Sequence, residues 1–148
     1  MLIQNPLNEY SSAFPILECI HIGGIVCGVG TAMLVNLRLL GVGLTQNSAE
    51  RLWRDVMPWT LVGLSLAIIS GLLLFSIDPG MYYVNHAFRF KMLALVLAIL
   101  FYYTMVRTVV ASHTTRAEGP VVACISLGLW VLVPLGGIFI GFIASTFA

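Results

Sequence analysis

Charge is what this sequence has least of. Only 9% of its 148 residues are Asp, Glu, Lys or Arg, where a soluble domain carries roughly a quarter. So few charges cannot clothe a surface in water, which excludes an ordinary soluble globule. No basic cluster suggests nucleic acid as a partner, and the net charge of +1 is uninformative about partners. Cysteine is scarce. Cys19, Cys27 and Cys124 lie in apolar runs, with neither a C-x-x-C pair nor the C-x-x-C-H that attaches haem covalently. They read as buried, hydrophobe-like thiols. The first thirteen residues hold Glu9 but no Lys or Arg. The basic start of a signal peptide is therefore missing, and the first apolar run is expected to stay in the mature chain.

What is present is hydrocarbon: 59% of residues are apolar and the mean hydropathy is +1.00. Four runs, near 14–37, 57–77, 87–111 and 120–146, are long enough to cross ~30 Å of lipid as helices of ~20 residues. The expected fold is all-α, an integral membrane four-helix transmembrane bundle forming one domain over 1–148. Pro15 suits the first turn of the first helix, and Gly41 and Gly43 mark its end. At 47–56 the chain reads N-S-A-E-R-L-W-R-D-V, with Asn47 and Glu50 spaced as a capping pair. That predicts a short interfacial helix near 48–56 leading into the second span. The D-P-G at 78–80 stops that span, Gly119-Pro120 separates the third from the fourth, and Pro134 should kink the fourth.

Orientation follows from the basic residues. Arg38, Arg51 and Arg54 flank the first loop, Arg107 and Arg116 the third, and only Arg89 and Lys91 lie near the second. Five against two predicts loops one and three in the cytoplasm and both termini outside.

Ionisable side chains inside hydrocarbon cost on the order of 2.5–3.5 kcal/mol each at mid-helix, so they ask for a partner or a task. Arg38 and Arg107 read as snorkelling anchors. That leaves Glu18 and His21 in the first helix, and His86, Arg89 and Lys91 at the start of the third. His21 lies 17 positions before Arg38 and Lys91 lies 16 before Arg107. At ~1.5 Å per residue the two sit at nearly one level. Lys91 shares a helix face with Ala87, Ala94 and Ala98, and His21 shares one with Gly24 and Gly28. His86 and Arg89 point elsewhere, toward headgroups or outer water. His113, at the far end of the third helix, is too distant to join His21.

Imidazole in a glycine-rich helix suits a b-type haem: it supplies an axial nitrogen, the glycines leave room for the porphyrin, and nearby cations meet the propionates. His21 is then the candidate metal ligand. Lys91, Gly24, Gly28, Glu18, Arg89 and His86 are the other candidate cofactor-binding residues. The alternative reading is structural, with His21 bonded to a backbone carbonyl and Lys91 paired with Glu18.

The segments E-C-I-H-I-G-G at 18–24, N-L-R-L-L-G at 36–41, S-G-L-L-L-F at 70–75 and F-R-F-K at 88–91 resemble a broad group of bacterial four-helix membrane proteins. That group includes the copper-resistance protein D domain, the haem-containing membrane protoporphyrinogen oxidase and several families of unknown function, the last being most similar. The resemblance implies a four-helix fold in the bacterial inner membrane. In the oxidases it implies a bound haem b that depends on a first-helix histidine and a third-helix lysine, matched here by His21 and Lys91. Where those oxidases carry a tyrosine-histidine further along the third helix, this chain has Phe101, Tyr102 and Tyr103. It also lacks the Met- and His-rich segments of a copper handler.

Three functions are therefore expected to compete. One is a haem b redox or electron-transfer protein working with a quinone or a redox partner protein. The second is a copper or small-solute transporter. The third is a cofactor-free subunit of a larger membrane assembly. Within one protomer no second histidine lies at the level of His21. Lys91, a water or a histidine from another copy would have to complete a haem's coordination.

Overall fold

Backbone in lipid has no water to bond to, so a chain this apolar must satisfy its amides within helices. A computed structural model describes residues 12–43, 46–112 and 115–146, excepting the side chains of 115–117 and 143–146. Glu9, His113 and the Arg116 side chain lie outside the described residues. The helices are α1 (Ala13–Leu39), α2 (Ala49–Ile77), α3 (Pro79–Val84), α4 (His86–Phe101), α5 (Arg107–Ala111) and α6 (Thr115–Thr146). A π-helical segment, Tyr102–Val106, joins α4 to α5 without a break. Four stretches are long and apolar enough to cross a membrane: Ala13–Leu39, Ala49–Ile77, His86–Ala111 and Glu118–Phe142. This is the all-α four-helix membrane bundle that composition predicts, and the described residues contain no strand.

Two boundaries differ from the sequence reading. There is no separate interfacial helix at 48–56, because α2 runs unbroken from Ala49 through Pro58. Pro58 deprives only the Arg54 carbonyl of its partner, and Arg54 is exposed at the end of the span where water can substitute. The cap is Ser48 rather than Asn47: its Oγ accepts the Arg51 N–H at 3.2 Å. Likewise Gly119-Pro120 lies inside α6, which starts at Thr115, while the third span ends at Ala111 as read. Pro120 is near enough to the start of α6 that the carbonyl it orphans, that of Arg116, belongs to the helix end.

Other signals act as read. Gly41 and Gly43 end α1 with φ of 76° and 73°, a left-handed geometry that glycine adopts without strain. Asp78 ends α2 and caps α3, its Oδ1 accepting the Met81 N–H at 3.1 Å. Asn85 caps α4 through Oδ1, which accepts from Ala87 N at 2.9 Å and Phe88 N at 3.3 Å. Its Nδ2 reaches the Ile140 carbonyl of α6 at 3.4 Å.

α1 lies against α2, α4 against α6, and α1 also touches α6. Small residues set the first of these contacts. A Cβ on Gly24 would stand 2.7 Å from Ala67 N, one on Gly28 2.8 Å from Leu64 N, and one on Gly63 would fall on the backbone of Gly28 and Cys27. The backbones touch because nothing projects between them. In the other pair, Ala87, Ala94 and Ala98 face inward, the stripe that the helical wheel predicts, and Tyr102 and Val106 continue it. Tyr102 stacks on Trp53 at 4.7 Å and meets Trp130 edge-on at 5.8 Å. Outward faces are apolar, with Ile69, Leu72, Leu93 and Ile138 each exposed, as lipid requires. Cys19 and Cys124 are also exposed, so these two thiols face lipid and are not in the core. Cys27 is half-buried.

Candidate functional site

In the upper half of the bundle three helices converge on one imidazole. His21 Nδ1 lies 2.8 Å from the Ala67 carbonyl and 3.2 Å from Ser70 Oγ, both on α2. A carbonyl only accepts, so Nδ1 carries the proton. Ser70 directs its own hydroxyl proton to the Leu66 carbonyl at 2.6 Å, leaving its oxygen as a second acceptor. In the neutral ring Nε2 is then an unprotonated lone pair, turned away from α2 toward α4. There it meets Lys91 Nζ at 3.3 Å.

Glycines shape both sides of this pair. A Cβ on Gly71 would press to 2.9 Å from His21 Cε1. Across the bundle, a Cβ on Gly136 would stand 3.0 Å from Lys91 Cβ, and one on Gly137 3.2 Å from Nζ. The lysine stem therefore lies along two side-chain-free positions of α6. Depth counting brought His21 and Lys91 together, and the structure does so too. Gly24 and Gly28 serve the α1–α2 contact below the pair and do not line it.

Glu18, His86 and Arg89 are not part of this constellation. All three are exposed, and among the described residues Lys91 makes no ion pair with any carboxylate. Glu18 instead acts on the short connecting helix α3. Burial, then the Glu18 charge, then that of Asp78, push the Tyr82 hydroxyl above its ordinary pKa. The predicted structural pairing of Lys91 with Glu18 is thus replaced by a hydrogen bond to His21. The half of that reading that gives His21 a backbone carbonyl is what the structure contains.

Sequence reasoning missed Ala67 and Gly136, and carried Ser70 and Gly71 only within the S-G-L-L-L-F segment at 70–75, not as site residues. Ser70 was within reach of the depth argument. It lies 16 positions after Arg54, the same interval that separates Lys91 from Arg107. For Gly136, only the path of the lysine stem reveals its use.

No curated protein and no solved structure matches this chain. A family description does match, over residues 10–143, a span that includes all four membrane helices, His21 and Lys91. The chain belongs to that family, a family of unknown function (DUF6644).

Proposed function

We propose that this chain is an integral membrane b-type haem-binding redox protein, with His21 as an axial ligand. The observation that carries the reading is the Nδ1–H donated to the Ala67 carbonyl at 2.8 Å. Such a bond fixes the tautomer and orientation of a metal-binding imidazole, leaving Nε2 as the donor.

The residues present fit the group. A bare zinc-like ion takes about four protein ligands, and among the described residues no three His, Cys, Asp or Glu side chains come together. Haem brings its own ring nitrogens and needs as little as one from the chain. Gly71 and Gly137 keep side-chain bulk away from both members of the pair. Lys91, which pairs with no carboxylate among the described residues, suits either a propionate or, as neutral amine, the iron. Exposed Arg89 lies two positions away in sequence, nearer the start of α4. When bound, haem supplies one-electron chemistry. The chain's own part is to hold the iron through His21, fix the ring through Ala67 and Ser70, and keep water out. The resemblance of the His21 and Lys91 segments to the haem-containing membrane protoporphyrinogen oxidase supports the same reading. The electron partner would be a quinone or a redox protein, reached by a homo-oligomer or a larger assembly.

Absorption spectroscopy of protein purified from haem-replete cells tests this. The expected result is a Soret band with sharp α and β bands on reduction, and colourless protein would overturn it. The competing reading rests on the 3.3 Å contact between Lys91 Nζ and His21 Nε2, which is itself a bond between α1 and α4. A colourless bundle that Lys91→Met destabilises would establish that cofactor-free role.

The reading also places the chain in a bacterial inner membrane, both termini outside, by the excess of arginine around loops one and three. Single cysteines at Ser12 and Gln46 check it, in a chain with Cys19, Cys27 and Cys124 replaced by alanine. An impermeant thiol reagent on intact cells should label position 12 alone. Labelling of 46 alone would reverse the orientation.

A further inference from the structure

A second polar group lies deeper in the bundle, away from His21. Asn36 is fully buried, as is Trp130, and Ser126 is 1% exposed. Among the described residues Asn36 Oδ1, Ser126 Oγ and Trp130 Nε1 are buried atoms with no hydrogen-bond partner. Native proteins leave few such atoms, and each asks for an explanation.

The three share one neighbourhood. Ser126 and Trp130 are four apart on α6, hence on one face. α1 and α6 are antiparallel here, and Gly119 lies beside the Leu39 carbonyl. Seven residues back along α1 is Ala32, and seven forward along α6 is Ser126, so these two are level. The Asn36 amide reaches back to that level, its Nδ2 donating to the Ala32 carbonyl at 3.0 Å. Trp130 touches Tyr102, at the start of the π-helical segment. Thr31 and Thr60, by contrast, are matched to each other at 2.8 Å, whereas the Tyr103 hydroxyl is a fourth buried atom without a partner among the described residues.

The open set has a definite chemistry. Asn36 Oδ1 can only accept, Trp130 Nε1 can only donate, and the Ser126 hydroxyl can do either. One water molecule answers all three, giving its protons to Asn36 and Ser126 and accepting from Trp130. Three bonds is what a buried water typically makes. We infer that the inner core between α1 and α6 is a binding site for a resident internal water, held by Asn36, Ser126 and Trp130. It joins helices at a level where glycine contact and the His21–Lys91 pair do not reach.

Nuclear magnetic resonance of ¹⁵N-labelled protein in a membrane mimetic tests the site, with the Trp130 indole assigned by its disappearance in Trp130→Phe. The expected result is a cross-relaxation peak between the Trp130 indole proton and water, despite the buried ring. No water peak in the unaltered chain overturns the inference, and no variant is needed for that outcome. A peak to lipid or detergent protons alone overturns it as well. Haem content has no bearing on any of these outcomes.

Discussion

Gly63→Leu is expected to cost the bundle more than any other single substitution on α2. A side chain there meets the backbone of Gly28 and Cys27, and backbone cannot step aside as a flexible side chain can. Overpacking typically costs ~1–3 kcal/mol. With backbone on the receiving side, the loss should lie at or above the upper end of that range. Gly28→Leu should approach it, since its Cβ would stand 2.8 Å from Leu64 N and 3.0 Å from the Leu64 side chain. Gly30→Leu is the control, because a Cβ at Gly30 meets nothing within 4 Å, and it should stay within ~0.5 kcal/mol of the parent. Gly43 serves less well as a control, its φ of 73° penalising any side chain. Unfolding midpoints of the purified variants in detergent would decide. Equal midpoints for Gly63→Leu and Gly30→Leu would mean the α1–α2 contact is not set by glycine.

Under the haem reading proposed above, His21→Ala is expected to yield colourless protein with its helices intact. The variant removes the proposed iron ligand itself, so the loss should exceed the ~10–100-fold that supporting residues contribute to metal affinity. Lys91→Met separates the roles of the lysine. Retained haem with a changed spectrum assigns Nζ to the iron, and retained haem with an unchanged spectrum assigns it to the periphery. Gly71→Ala probes the geometry from the other side, since its methyl would sit 2.9 Å from His21 Cε1 and push the ring off the Ala67 carbonyl. Haem content measured beside helix content is the check. If His21→Ala keeps the parent spectrum, the imidazole is a strut between helices and the redox reading is wrong.

The number of spans was legible in the sequence because lipid imposes a length on each run. The meeting of His21 and Lys91 was legible too, because arginines near the helix ends act as depth markers on both helices. Helix ends were less so. Pro58 and Pro120 look like breaks in one dimension. Near a water-facing end, however, the carbonyl each leaves unpaired is readily solvated, and the helix runs on. Glu18 stayed open as an alternative partner for Lys91, since it lies less than one turn from His21 and only the packed bundle sets it aside. Asn36, Ser126 and Trp130 were not singled out as a group. Each is one polar side chain set in an apolar run, and burial makes it consequential.

The π-helical segment Tyr102–Val106 has a consequence for the second half of the third span. Inward residues recur there every four positions, at 94, 98, 102 and 106, whereas an α-helix returns to one face every 3.6. A strictly α-helical chain with that spacing would slew its seam steadily around the axis and carry Val106 off the core. The wider i→i+5 turn absorbs the surplus, like a leap day that keeps a calendar in step with the sun. The alanines beside Lys91 and the aromatic packing below thus answer to a single inward direction, although no one helical period would have kept them aligned.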